Sequence, residues 1–96
     1  MALDCHRLTD CNTGGGCITS IPQSTVFANN LLVSVDGSIG TSHPTCPDDP
    51  EHCEGNWFTA LGGPTVFAAV IPVNKKGDTD TCGHDRADGS PNVFLL

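Results

Sequence analysis

The chain has 96 residues, a net charge of −7 and only four Lys plus Arg. That length fits one domain with a small apolar core, and so few cations exclude a phosphate-reading, nucleic-acid-binding surface. The longest apolar run, residues 66–73, is far below membrane-spanning length, no basic-then-apolar leader opens the chain, and no Asn-x-Ser/Thr acceptor occurs, so a soluble protein made in the cytoplasm is expected.

In chain order, MALDCHRLTD (1–10) reads as an apolar strand ending in a Thr9–Asp10 step. After the connection CNTGGGCITSIPQ (11–23), STVFANNLLVSVDGS (24–38) reads as strand, two-residue turn at Asn29–Asn30, strand. A longer connection (39–63) leads to PTVFAAVIPVNKKGD (64–78), which repeats the preceding unit at an offset of forty. Thr25/Thr65, Val26/Val66, Phe27/Phe67, Ala28/Ala68, Leu31/Ile71, Val33/Val73 and Gly37/Gly77 coincide in type. After TDTCGHDRADGS (79–90), a third copy begins at PNVFLL (91–96); its missing half is the N-terminal strand, so the two ends are predicted to complete one hairpin together. Three such hairpins make an all-β body with pseudo-threefold symmetry. Most of Val26, Phe27, Val66, Phe67, Val93 and Phe94 are expected in the core.

Every Cys except Cys5 and every His except His6 sits in a connection, and connections this long in a small domain are functional or fastened. Leaving equivalent hairpins on one side, they would converge. Zinc takes four ligands from thiolate and imidazole, and the loops offer Cys11 and Cys17, then His43, Cys46, His52 and Cys53, then Cys82 and His84. Counted from the hairpin-ending glycine, His43 follows Gly37 by six while Cys82 and His84 follow Gly77 by five and seven; the first-arm counterpart is Gly15, which has no ligand. CPDDPEHC (46–53) and CNTGGGC (11–17) could equally be closed by disulfides. Adjacent His52 and Cys53 point apart if extended, so one of them faces the site. Cys5 and His6 read as packing or surface residues. Cys82, His84 and Asp85 can be drawn as a catalytic group, but residues two apart on a short loop do not hold imidazole against sulfur, and no enzyme is expected.

GSPNVF (89–94), GGPTVF (62–67) and QSTVF (23–27), each leading into a hairpin with a Gly-Asp-like end, resemble the three repeats of PAAR proteins. These form the sharpened tips of contractile injection machines such as phage tails and type VI secretion systems. The likeness spans essentially the whole chain, although LLVSV and IPVNK stand where the Pro-Ala-Ala-Arg tetrapeptide would be. It implies a single domain, 1–96, with a small conical fold of three pseudo-threefold β-hairpin repeats and long metal-pinned loops converging at an apex. It also implies a base seated on a trimeric β-helical spike protein, one tip per trimer, and one apical ion, Zn2+ with Fe2+ as the alternative, held by histidines and a cysteine. Carried over, Cys82 matches the third-arm cysteine, His43 a second-arm histidine, and the other second-arm histidine falls at His52 or Cys53. The first-arm histidine matches Gly15, so that ligand is missing and His84 is expected to replace it, giving His43, His52, Cys82 and His84. The pairs Cys11/Cys17 and Cys46/Cys53 are similar to those of phage-type members, which implies a virion setting at the tail baseplate. The expected partners are the spike and, transiently, the target membrane, with no nucleic acid and no small-molecule substrate. The alternative is a disulfide-stapled binding module without metal.

Overall fold

Four short antiparallel pairs carry the regular structure of residues 3–60, 62 and 66–95, the part of the chain that the computed structural model describes. The fold is all-β, with one 3-10 turn at Pro50–His52. Strand β1 (Leu3–Asp4) pairs with β8 (Phe94–Leu95), β2 (Ile18–Ser20) with β5 (Ile39–Gly40), β3 (Phe27–Ala28) with β4 (Leu31–Leu32), and β6 (Phe67–Ala68) with β7 (Ile71–Pro72).

Three of these pairs are the predicted hairpin units. Phe27 faces Leu32, Phe67 faces Pro72 and Phe94 faces Asp4, so the third unit is assembled from the two ends of the chain. The turns Asn29–Asn30 and Ala69–Val70 have positive φ at both residues, 54° and 65° and then 50° and 66°, as a twist-matched two-residue hairpin requires. Asn tolerates that conformation; Val tolerates it poorly. The corresponding turn of the third unit, at Leu96, Met1 and Ala2, and the repeat residues Pro64 and Thr65 lie outside the described residues.

The units close on one another in rings. Arg7 bridges Val33, Val35 bridges Val73, and Lys75 bridges Cys5. At the centre, the His6 N–H donates to the Asn74 carbonyl, the Asn74 N–H to Ser34, and the Ser34 N–H to His6, at 3.1, 2.9 and 2.9 Å. A second ring pairs Asn12 with Arg86, Ile18 with Gly40 and Thr59 with Asp80. The hinges between the rings are Thr9, Gly37 and Gly77, with φ of 74°, 94° and 96°, the three positions aligned from sequence. Each hinge is locked by the residue after it. Asp10 and Asp78 accept from the backbone N–H of Arg7 and Lys75 and pair with those side chains, and the Ser38 hydroxyl serves the Val35 N–H in the same place.

Apolar packing is thin and lies beside the first ring: Cys5, Ala28, Val33, Val35, Ala68 and Val73. The expectation that the repeat phenylalanines are core is corrected here. Phe27, Phe67 and Phe94 are 57%, 53% and 51% exposed, because alternation turns the neighbouring Ala28 and Ala68 inward and the rings outward. Val26 and Val93 are also exposed, while Val66 packs against the core edge.

Much of the centre is polar. His6 is fully buried; its Nδ1 donates to the Asp88 carbonyl at 2.8 Å, while Nε2 has no hydrogen-bond partner among the described residues. Burial pushes its pKa down to about 4. The unfolded chain therefore binds a proton below about 6.5 that the folded chain refuses until about 4, and stability is lost as pH falls through that window, by about 3 kcal/mol. Urea unfolding of wild type and His6→Gln between pH 7.5 and 4 is expected to show this slope in wild type and its loss in the variant; parallel curves would contradict it.

Candidate metal centre

Beyond the second ring, three arms run together. The Thr13 N–H donates to Asp85, that of Thr41 to Cys17 and that of Thr81 to Phe58, at 2.8, 3.0 and 3.0 Å. This third cyclic set fixes the starts of the loops that carry the candidate ligands. His43 lies two residues after Thr41 on the second arm; Cys82 and His84 lie one and three residues after Thr81 on the third.

The second arm then folds back on itself. The 3-10 turn at Pro50–His52 brings His52 beside His43, the His43 N–H donating to the His52 carbonyl at 3.1 Å. The two rings meet with His43 Nε2 3.1 Å from His52 Nδ1, and Cys82 Sγ lies 3.7 Å from the same Nε2. One ligand atom each from His43, His52 and Cys82 falls within 4.8 Å of the others. These three residues could hold a metal ion. With ordinary Zn–N and Zn–S bond lengths, a tetrahedral site separates nitrogens by about 3.3 Å and nitrogen from sulfur by about 3.6 Å. The two contacts at His43 Nε2 lie close to these values, while the group as a whole spans 4.8 Å.

The electrostatics agree. The Thr41 carbonyl lies 3.4 Å from His43 Nδ1 and so assigns the proton there, leaving Nε2 to present a lone pair. Burial pushes the His43 pKa down, keeping the ring neutral. Burial also pushes the Cys82 thiol up, partly offset by the His84 backbone N–H, so a cation is what would release its proton.

No family model matches this chain, and no curated protein matches it.

His84 joins the cluster without joining that three-atom group. Its ring centre lies 5.2 Å from that of His43 and 5.0 Å from that of His52. Thr13 Oγ1 lies 3.4 Å from its Nδ1, which leaves Nε2 as the nitrogen not engaged by Thr13. All four predicted ligands are thus brought to one place from two arms. Of His52 and Cys53, His52 is the one that lies in the group, while Cys53 is bridged to Cys46; Cys11 is bridged to Cys17. Cys5 and His6 are buried at the first ring and are not in this group, and burial pushes the Cys5 thiol up to about 11.

The first arm contributes shape. Gly14 and Gly16 stand where the third arm has Cys82 and His84, five and seven residues past the hinge. A methyl group at Gly14 would lie 2.5 Å from His84 Cδ2 and 2.9 Å from His43 Cδ2; one at Gly16 would lie 2.6 Å from His43 Nδ1. The backbone of this arm therefore forms one wall of the cluster, and only glycine fits. Sequence reasoning also missed Trp57, which is fully buried edge-on to His43 at 5.4 Å and donates from Nε1 to the Thr41 carbonyl at 3.1 Å. Its only sequence signal is a lone tryptophan inside a polar loop.

Proposed function

We propose that the chain is a structural spike tip of the PAAR kind, which caps a trimeric β-helical spike and presents one metal-pinned point to a target envelope. The observation that carries this is the combination of cyclic threefold hydrogen bonding with a His/His/Cys cluster where the loops meet. Along every arm the chain runs from the phenylalanine strand, through the central triangle, to the loop layer where the ligands gather. Zinc, with iron as the alternative, is the cation this mixed donor set suits, and His84 is the fourth ligand. A tip under load cannot rely on six small core residues; tying two flexible arms through one ion, against the glycine wall of the third, makes the loop layer rigid.

The opposite layer supplies the seat. Phe27, Phe67 and Phe94 occupy equivalent positions and expose about half their surface each. A triad of rings in threefold array suits the blunt end of a symmetric trimer, whose open strand edges it would cover. Nothing in the reading requires turnover. The setting that follows is a phage tail or an analogous injection particle.

Native mass measurement of the protein mixed with a trimeric β-helical spike is expected to give one chain per trimer, and Phe27→Ser with Phe67→Ser and Phe94→Ser to abolish the complex. Three chains per trimer, or an unaffected triple variant, would contradict the reading.

A further inference from the structure

Two of the three grouped ligand atoms come from one loop, and that loop is held by its own hydrogen bonds and a disulfide rather than by apolar burial. Every residue from 44 to 51 except Cys46 is exposed, so apolar burial does not fix the segment. What closes it is the Cys46–Cys53 disulfide, which starts three residues after His43 and ends one residue after His52. The bridge sits on the same ladder as the ligands: the Cys46 N–H donates to the His43 carbonyl at 2.9 Å, and the His43 N–H to the His52 carbonyl at 3.1 Å. The two imidazole nitrogens meet at 3.1 Å beside this closed ring, His52 inside it and His43 just before it. The third arm has no such bridge, and its Cys82 is a free thiol.

Resting on the metal reading above, we propose that the Cys46–Cys53 disulfide is a positioning clamp for His43 and His52, so that the centre reaches full metal affinity only once this pair is oxidised. An open loop of this composition samples many arrangements, and the cation must then bear the cost of choosing one; the bridge removes those arrangements beforehand. The bridge also withdraws two thiols that would otherwise compete as soft ligands beside His52. Oxidation transfers two electrons and two protons from the thiols of Cys46 and Cys53 to a disulfide oxidant, which leaves as two thiols while the S–S bond forms. The tip therefore matures in order, with oxidation of the second arm first and metal loading second.

The test titrates Co2+ into metal-free wild-type protein, with both disulfides formed, and into Cys46→Ser/Cys53→Ser, in competition with a chromophoric chelator. The variant is expected to bind about 10–100-fold more weakly while keeping the thiolate-to-cobalt charge-transfer band that reports Cys82. If the variant does not fold, cobalt release from loaded wild-type protein, followed before and after phosphine reduction, decides instead; release at least about tenfold faster is expected on the same grounds. Unchanged affinity or release, or tighter binding by the reduced chain, overturns the clamp and leaves the metal reading standing. No cobalt uptake by oxidised wild type overturns both.

Discussion

Replacing Arg86 with alanine is expected to destabilise the domain by about 3–5 kcal/mol in urea unfolding at neutral pH. Arg86 is 1% exposed, and its Nη1 donates to Asp80, which is buried as well. The other Asp80 oxygen accepts from Asn12 Nδ2 at 2.7 Å, so three residues of two arms share one network inside the second ring. Burial pushes the Asp80 carboxyl up, against the pull of Arg86 and Asn12. Without the guanidinium, a carboxylate that has already lost its water would keep a single neutral donor. The pair is costly in its own right, since Arg86 Nε and Nη2 have no hydrogen-bond partner among the described residues. Asp80→Leu with Arg86→Met is therefore expected to cost less than Arg86→Ala. A loss below about 1 kcal/mol for Arg86→Ala, the scale of an exposed ion pair, would mean that the network does not hold the ring.

Stripping the metal is expected to produce the second large effect. A ligand present at a thousand times its dissociation constant adds about 4 kcal/mol to folding, which for a domain of this size is a fall in melting temperature on the order of 20 °C on removal. Calorimetry with and without a chelator checks this. The loss should concentrate in the loop layer, where the chain between His43 and His52 has almost no buried side chain of its own. A midpoint unmoved by chelation would mean that the two disulfides alone fasten the loops, as the metal-free alternative requires.

The hairpin framework was legible because its signals are local. Paired repeats, turn dipeptides and hinge residues sit at fixed offsets, and even Thr9, a poor residue for positive φ, was placed with Gly37 and Gly77 by position alone. Which face of each strand turns inward was not legible. Strict alternation offers two faces, and nothing in the pattern itself says that the small Ala28 and Ala68 take the inner one and Phe27 and Phe67 the outer. The gathering of His43, His52, Cys82 and His84 could be argued from spacing, whereas Cys53 could not be told from His52 until the 3-10 turn set their directions. Trp57, Gly14 and Gly16 stayed hidden because their roles exist only where two arms approach each other. The buried Arg86–Asp80 pair was hidden for the same reason, its two members reading in sequence as ordinary loop charges.

The central claim is that imidazoles and one thiolate from separate arms close on one cation. The most direct measurement is metal content per chain after gel filtration, in wild type and in Cys82→Ser and His43→Ala. The account predicts one zinc or iron per wild-type chain and well under half that in either variant, with both disulfides still formed. Wild-type protein that is folded and disulfide-bonded yet carries no metal, and takes none up when it is supplied, would contradict it.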